Sequence, residues 1–282
     1  MICEENTLQK IAILYICTGK YQVLWKEFYE SFEKLFLTSC SKDYYVFTDA
    51  DSIEYEQDNH RIHRIYQEAL PWPYPTLLRF KMFLKIEKEL KSYDYIFFFN
   101  SNAEARMQIT EEMILPRKEF KESLVMVKHP SFNWSVLNNP YDRNFHSKAY
   151  IPYGLGKVYI QACILGGTSK AFMRMTKTIS DRIDRDLKKD VIALWHDESY
   201  VNRYLVFRRD YRLLGREFAR QRLHPDSECV ILMRPKEDYF NVESVKAEAE
   251  ETALSKNNLK WNHYNLLLAE IIKDKFLTGK KK

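Results

Sequence analysis

The chain has 282 residues, of which 45% are hydrophobic, so it can bury the core of one large domain or two small ones. Its formal net charge of +5 is spread over many charges of both signs, which does not call for a nucleic-acid partner. Only 7 glycines occur, and neither of the glycine-rich phosphate-binding motifs, GxGxxG or GxxxxGK(S/T), is present.

Cysteine usage and hydropathy indicate the compartment. The number of cysteines is odd, at 5, and no two form a CxxC pair, which favours free thiols in a reducing environment. The amino-terminal residues include acidic side chains and no long apolar stretch, so neither a signal peptide nor a transmembrane helix is predicted. We therefore expect a soluble cytoplasmic protein.

The first elements alternate between strand and helix. Residues Ile11 to Cys17 form a continuous apolar run, typical of a strand buried on both faces. Residues 22–37 place Leu24, Phe28 and Phe32 at helical spacing, and Tyr44 to Thr48 form a second apolar strand. A strand, a helix and a strand in this order predict a parallel pair joined by a right-handed crossover.

The same alternation continues along the chain and predicts an α/β fold with a mainly parallel central sheet flanked by helices. We expect one domain over residues 1–240 and a helical, basic extension over 241–282. A solvated tail is the ordinary interpretation of that extension, and contact with an anionic membrane surface is the alternative. Further predicted elements are a helix at 76–91, strands at Tyr95 to Phe99, 123–128 and 157–165, a sharp bend at Gly166-Gly167, and helices at 169–190, within 193–207 and at 243–276.

Three predicted strands end in polar residues: Thr18-Gly19-Lys20, Asp49, and Asn100-Ser101-Asn102. In parallel sheets, ligands bind beyond the carboxyl ends of the strands. Two aspartates at the positions of Asn100 and Asn102 would hold a divalent cation between two phosphates, whereas amides carry no charge and bind hydroxyl groups instead. Taken alone, the two asparagines are also compatible with a simple polar turn.

The segment Trp195-His196-Asp197-Glu198-Ser199 concentrates two acids beside an aromatic ring. One carboxylate could attack a sugar anomeric carbon or stabilise positive charge there, and the other could accept hydrogen bonds from sugar hydroxyls. The structural alternative is a helix start with acids in its first turn, near the positive end of the helix dipole.

Three basic residues are candidates for contacts with substrate. Arg79 and Lys236 could stabilise a leaving diphosphate in place of a metal, although a single cation is more commonly a solvated surface group. His129 follows a predicted strand and could be either a structural residue or a substrate contact. No cluster of Cys and His at zinc-ligand spacing and no GxSxG motif occurs.

The order of these motifs resembles glycosyltransferase family 6, which contains the histo-blood-group A and B transferases, the α1,3-galactosyltransferase and the Forssman synthase. The likeness covers about residues 11 to 240 and rests mainly on the motifs YYVFTD, ending at Asp49, and WHDES, starting at Trp195. It implies a GT-A fold and retaining transfer of Gal or GalNAc from UDP to O3 of a galactosyl acceptor.

The resemblance also implies roles for individual residues. Glu198 is similar to the catalytic glutamate of the family, acting as a nucleophile or as a stabiliser of an oxocarbenium ion. His129 and Trp195 are implied as acceptor contacts. The implied donor contacts are Ile16, Cys17, Thr18 and Tyr21 for uridine, Arg79 for the phosphate or the sugar, Lys236 for the diphosphate, Gln161, Ala162 and Cys163 for donor choice, and Asp197 for the sugar. Asn100 and Asn102 occupy the positions of the family's Asp-x-Asp motif, where their amides could bind ribose or sugar hydroxyls.

The chain departs from the vertebrate pattern in the two asparagines and in the lack of a membrane anchor or stem, so a bacterial member that needs no metal ion or other cofactor is predicted. Small side chains at Ala162 and Cys163 favour UDP-GalNAc, with UDP-Gal as the alternative donor, and a fucosylated galactoside resembling the H antigen is the expected acceptor. Two other hypotheses stay open: a catalytically silent protein that binds carbohydrate or nucleotide, and a Mn²⁺-dependent transferase with its ligands elsewhere.

Overall fold

The computed structural model describes residues 8–132, 139–221 and 228–245. Strands alternate with helices along most of the chain, as the hydrophobic pattern predicts. The strands are β1 (Lys10–Ile16), β2 (Ser41–Thr48), β3 (Ile62–Tyr66), β4 (Tyr95–Phe99), β5 (Ala103–Ala105), β6 (Leu124–Lys128), β7 (Ile160–Thr168), β8 (Tyr211–Leu214) and β9 (Ile231–Met233). The α-helices are α1 (Trp25–Leu35), α2 (Tyr74–Leu77), α3 (Arg79–Leu84), α4 (Glu87–Leu90), α5 (Glu111–Ile114), α6 (Ser169–Leu187) and α7 (His196–Leu205).

Seven of the strands form one sheet in the order β3-β2-β1-β4-β7-β6-β8. Every neighbouring pair in it is parallel except the two pairs that β7 makes with β4 and β6. The predicted parallel pairing of β1 with β2 is present, with Ile13 opposite Tyr44. The α/β fold with a mainly parallel sheet is thus confirmed.

Helices cover both faces of this sheet. Successive strand residues point to opposite sides, and both sets of side chains are apolar, so each face must be buried. On one face Ile11, Ile13 and Tyr15 pack with α1, and on the other Ala12 and Leu14 pack with α3, α6 and α7. Burial on both faces explains why β1 and β4 are continuously apolar.

The predicted sharp bend at Gly166-Gly167 is wrong, because β7 continues through both residues to Thr168, and both pair with β4. A Cβ on Gly166 would lie 2.3 Å from the Phe97 ring on β4. A Cβ on Gly167, whose φ is 153°, would lie 2.5 Å from the Ser123 carbonyl oxygen. Both glycines therefore permit close packing against neighbouring elements and do not end the strand.

The single helix predicted over 76–91 is also wrong, because the segment forms the three short helices α2, α3 and α4. Leu78 and Ile86 at the junctions leave ideal helical geometry, with ψ values of 8° and 32°. The apolar pattern survives since Phe80, Phe83 and Leu90 remain buried against the sheet.

Sequence patterns missed four short strands, β3, β5, β8 and β9, each of five residues or fewer. The pairing of β5 with β9 matters for the site, since it brings residues 231–233 beside the chain that follows β4. Most of the predicted helix at 243–276 and of the extension at 241–282 lies outside the described residues, so the division into one domain and a C-terminal extension stays a prediction. In the described part of the chain, no helix has the length and apolarity needed to cross a bilayer.

Candidate active site

The first side of the site is the common carboxyl edge of β1, β2 and β4. Asp49, just after β2, accepts a hydrogen bond at Oδ1 from the backbone N–H of Gly19 and another from Nε2 of Gln22, each 2.8 Å long. Gly19 has a φ of 55°, which glycine adopts at little cost. Thr48 donates a hydrogen bond of 2.8 Å to the Cys17 carbonyl. These bonds hold the turn after β1 against the end of β2.

A cavity of about 160 Å³ opens beside this edge, between the end of β4, the start of β7 and the first turn of α7. Eight of the predicted site residues line it, together with three that were not predicted as site residues. The lining residues are Trp72, Thr76, Arg79, Asn100, Gln161, Ala162, Cys163, Trp195, His196, Asp197 and Glu198.

Arg79, the first residue of α3, is buried beneath this cavity, with 5% of its surface exposed. Its Nε lies 3.2 Å from Oδ2 of Asp197, and its Nη1 donates a hydrogen bond of 2.8 Å to the Ala162 carbonyl. The guanidinium also lies over the Phe98 ring, 4.6 Å from its centre. A guanidinium this buried is held in one orientation by its partners and presents fixed positive charge to the cavity.

The two acids lie in the first turn of α7, where the helix dipole stabilises negative charge. Glu198 accepts a hydrogen bond of 2.9 Å at Oε2 from the Ala162 N–H. The carbonyl of Ala162 thus faces Arg79 while its N–H faces Glu198. Asn202, one turn further along α7, exchanges two hydrogen bonds of 2.9 Å with the backbone of Ile160 and so fixes α7 to β7.

Burial raises the pKa values of both acids. It raises the pKa of Asp197 to about 6 against the opposing effect of Arg79. It raises the pKa of Glu198 to about 7, with the Ala162 N–H and the Tyr159 hydroxyl lowering it and the Asp197 charge raising it further. A carboxyl group with a pKa near neutrality in a cleft is typical of an acid that takes part in chemistry.

Two further buried aspartates support α7 from behind, and no sequence motif pointed to them. Asp186 accepts hydrogen bonds at Oδ2 from the hydroxyls of Ser147, at 3.0 Å, and Tyr200, at 2.8 Å. Asp142 accepts one of 3.0 Å from the N–H of Leu194, and burial raises its pKa. Their hydrogen bonds tie the loop before β7 to the end of α6 and to the start of α7. They thereby hold α7, which carries Glu198, in place.

The two asparagines after β4 have different surroundings. Asn100 lines the cavity. Asn102 donates a hydrogen bond of 2.7 Å from its side-chain Nδ2 to the Arg234 backbone carbonyl. The backbone carbonyl of Asn102 in turn accepts a hydrogen bond of 2.9 Å from the Arg234 backbone N–H. Its Oδ1 is buried and has no hydrogen-bond partner among the described residues. In those residues, no three His, Cys, Asp or Glu side chains are grouped so that they could hold a metal ion.

The predicted uridine contacts lie next to the cavity but do not line it. Cys17 and Thr18 are buried in the turn after β1, and Ile16 is partly buried there. Burial raises the pKa of the Cys17 thiol to about 12, so this thiol is neutral at physiological pH. The Tyr21 ring is covered by Lys236, whose Nζ lies 5.0 Å from the ring centre, and by Phe240, with ring centres 4.8 Å apart.

Of the two predicted acceptor contacts, only Trp195 lines the cavity. His129 packs on Phe132 and Tyr159, with ring centres 4.5 and 5.6 Å away. Burial, together with the charge of Arg216, lowers the pKa of His129 to about 4, so it is neutral at physiological pH. Tyr159 stands between His129 and Glu198, which places the histidine behind the residues that face the cavity.

The geometry of the site combines a buried arginine, two acids and a carboxyl edge of a parallel sheet, and the family model of glycosyltransferase family 6 matches residues 4–245. The chain belongs to glycosyltransferase family 6. It is a glycosyltransferase, and the resemblance of the WHDES and YYVFTD motifs to that family is confirmed.

Family 6 relatives include both bacterial and vertebrate proteins. The chain is 37% identical to the O-antigen biosynthesis glycosyltransferase WbnI of Escherichia coli, over 80% of this chain and 95% of that protein. It is 24% identical to the histo-blood group ABO system transferase 2 of Rattus norvegicus, over 74% of this chain and 62% of that protein. It is 26% identical to the globoside α-1,3-N-acetylgalactosaminyltransferase 1 of Gallus gallus, over 79% and 65% of the two chains.

Of the three cavity residues of this family 6 protein that were not predicted as site residues, His196 lies within the WHDES motif, but Trp72 and Thr76 were missed by sequence reasoning. Both lie in the stretch just before Arg79, and Trp72 meets His196 edge to face, with ring centres 5.1 Å apart. Trp72 lies in the proline-rich segment PWPYP at residues 71–75, and a proline-rich segment gives no local signal of its position over the site. The available signal was a tryptophan, Trp72, about two helical turns before the candidate Arg79.

Proposed function

We propose that this family 6 transferase moves GalNAc from UDP-GalNAc to O3 of a galactosyl acceptor, with retention of anomeric configuration and without a metal ion. The observation that carries the proposal is the pair of hydrogen bonds made by the Ala162 backbone: its carbonyl accepts one from Arg79 and its N–H donates one to Glu198. A cation and a carboxylate are thereby held on either side of the residue that is implied in donor choice. This arrangement is complementary to a sugar diphosphate, because a cation stabilises the phosphates and an anion stabilises positive charge at the anomeric carbon.

The donor proposal rests on the small side chains at the start of β7. Ala162 and Cys163 line the cavity, and side chains this small would admit the acetamido group that distinguishes GalNAc from Gal. The buried Oε1 of Gln161 has no hydrogen-bond partner among the described residues, so it is placed to accept a hydrogen bond from an amide N–H. UDP-Gal is the alternative, and it lacks that N–H.

Retention is supported by Glu198, whose Oε2 is held by the Ala162 N–H on the cavity wall. In its ionised form it either attacks the anomeric carbon or stabilises the oxocarbenium ion as UDP departs. Asp197, held by Arg79, is the candidate partner for donor-sugar hydroxyls. On the acceptor side we assign Trp195, whose buried Nε1–H has no protein acceptor in the described part of the chain, and a fucosylated galactoside as substrate.

The metal-free proposal rests on charge. Asn100 brings a neutral amide to the edge where a cation-dependent enzyme would need a carboxylate, and Arg79 supplies permanent positive charge in the same cavity. Lys236 lies over Tyr21 at the neighbouring edge and is the second candidate cation for the diphosphate. We place the activity in the cytoplasm.

One assay tests these proposals together. The protein is incubated with 2′-fucosyllactose and either UDP-GalNAc or UDP-Gal, in EDTA and separately in Mn²⁺, and the product anomer is determined by NMR. We expect an α-linked GalNAc product at equal rates in EDTA and Mn²⁺. A strict requirement for Mn²⁺ or a β-linked product would refute the mechanism, preference for UDP-Gal would establish the alternative donor, and binding of UDP without turnover on any acceptor would indicate the silent binder.

A further inference from the structure

Four side chains with donor groups meet between α6 and the last turn of α7, away from the cavity lining. Arg182 comes from α6, Arg203 and Tyr204 come from α7, and Arg208 follows that helix. Arg182 lies one helical turn before Asp186, and Tyr204 lies one turn after Tyr200. The Tyr200 hydroxyl donates a hydrogen bond of 2.8 Å to Asp186, so Arg182 faces this end of α7 and interacts electrostatically with Arg203 and Tyr204. The Arg208 guanidinium lies over the Tyr204 ring, 4.9 Å from its centre. We call this group the α6–α7 arginine cluster.

The charges of this cluster are only partly balanced by protein carboxylates. Burial and the charge of Arg203 both lower the pKa of Arg182, which means that the two cations repel each other in a partly buried place. Asp181 is the acid nearest in sequence, and its charge raises the pKa of Arg182, but its Oδ2 forms an ion pair with Nη2 of Arg185 at 2.9 Å. Only Arg208 has a carboxylate partner in the described residues, Asp210 at 2.5 Å.

Buried polar atoms of the cluster also lack partners. Nη1 of Arg182, the hydroxyl of Tyr204 and Nε of Arg208 are each buried without a hydrogen-bond partner among the described residues. Native structures leave few such atoms unsatisfied, because a buried donor without a partner loses its hydrogen bonds to water and gains none in return. Three such unsatisfied atoms lie on neighbouring side chains, and all three can donate a hydrogen bond. This arrangement indicates that a hydrogen-bond acceptor binds between them.

Ordinary structural roles account for only part of this arrangement. A cation in the last turn of α7 complements the helix dipole, and the Arg203 guanidinium also lies 5.8 Å from the centre of the Phe207 ring. That role needs a single cation. It leaves unexplained why a second guanidinium, Arg182, approaches from α6.

We propose that the α6–α7 arginine cluster binds a phosphate-class oxyanion, held by Arg182, Arg203, Tyr204 and Arg208. Guanidinium groups donate paired hydrogen bonds to phosphate oxygens, and a phenolic hydroxyl supplies a further donor. A dianion would remove the repulsion between the arginines and satisfy the three buried donors together. The phosphate could be free in solution or carried on a lipid.

This site is separate from the proposed diphosphate contacts. Tyr204 lies six residues after Glu198 on the same helix, which is about 9 Å along its axis. Binding at the cluster therefore does not require Arg79 or Lys236, and it can be measured while the donor site is filled with UDP.

The test measures pyrophosphate and inorganic phosphate binding by calorimetry to the full chain saturated with UDP, at constant ionic strength set with NaCl. We expect Arg182→Gln and Arg203→Gln to weaken binding by about tenfold or more each. Arg174→Gln is the matched control, since Arg174 is an exposed arginine on the same helix, about two turns before Arg182, and it should bind as the native protein does. Equal affinity in native protein and Arg182→Gln would overturn the proposal.

A stability measurement guards against misfolded variants. In buffer free of oxyanions, Arg182→Gln should melt at the same temperature as the native protein or higher, because it removes repulsion. Pyrophosphate should raise the melting temperature of the native protein and of Arg174→Gln but not of Arg182→Gln.

A third arm uses vesicles of phosphatidylcholine with phosphatidic acid, measured by co-sedimentation. Binding that depends on Arg182 in either phosphate arm supports the site and identifies the source. Its absence in both refutes it.

Discussion

Arg79 and Asp197 form a buried ion pair that joins α3 to α7 across the floor of the cavity, with Nε and Oδ2 3.2 Å apart. The side chains are 6% and 5% exposed, so neither can replace its partner with bulk water. Such a pair contributes little net stability in itself, but breaking it leaves a buried charge. The pair therefore fixes the position of the cation relative to Glu198.

Arg79→Gln should lower the free energy of unfolding by about 3–5 kcal/mol, because Asp197 is left buried and unpaired. Asp197→Asn should cost less, and the double variant should be less unstable than the sum of the two. Chemical denaturation of all four proteins measures the coupling. Simple additivity would show that the two groups do not interact in solution.

Glu198→Gln should reduce kcat by about 10²–10⁴-fold, because a neutral amide can neither attack the anomeric carbon nor stabilise positive charge there. UDP should bind with unchanged affinity, since Glu198 is not assigned to the nucleotide. Glu119→Gln, at an exposed glutamate, is the control. Near-native turnover of Glu198→Gln would remove Glu198 from the mechanism.

Activity should depend on pH through Glu198. Its pKa is about 7, and the ionised form is the reactive one, so kcat/KM should rise with pH and level off above about 7. A pH–rate profile in overlapping buffers measures the midpoint. A profile that is flat from pH 5 to about 8 would contradict the assignment.

Stability should change with pH in the opposite direction. Asp197 and Glu198 hold protons more tightly in the folded chain, at about 6 and 7, than at their ordinary values of 3.8 and 4.5. Between about pH 4 and 7 the folded state binds more protons than the unfolded state, so their contribution to the free energy of unfolding is lost as pH rises. Asp197→Asn should make this pH dependence shallower, as measured by urea denaturation.

Replacing each asparagine after β4 by aspartate should have unequal effects on stability. Asn102→Asp should destabilise the fold by about 1–3 kcal/mol, since the Nδ2–H donated to the Arg234 carbonyl is replaced by a charge facing that carbonyl. Asn100→Asp, whose side chain lines the cavity, should fold normally. Thermal melts and EDTA-treated activity assays compare the two. Equal melting temperatures would show that the Asn102 bond is unimportant.

Local pattern was sufficient for the main elements and for the motifs. Strands β1 and β4 were predicted within one residue, because an apolar run buried on both faces is visible without any knowledge of its neighbours. The order of short motifs was likewise sufficient to indicate the family, and hence Arg79 and the Trp195–Ser199 segment. Predictions failed where long-range packing overrides local signals: Gly166 reads as a break but fits against Phe97 inside a strand.

By itself, the sequence determined the alternation of strands and helices, the two acids at the start of α7 and the neutral amides after β4. Only the tertiary structure decided which groups meet: Arg79 reaches Ala162 across 83 residues of chain, and Asn102 reaches Arg234 across 132. It also separated His129 from the cavity and joined Arg182 to α7. The physical reason is that residue type and period report on burial and local conformation, whereas contacts between distant residues depend on strand register and on how helices pack over the sheet.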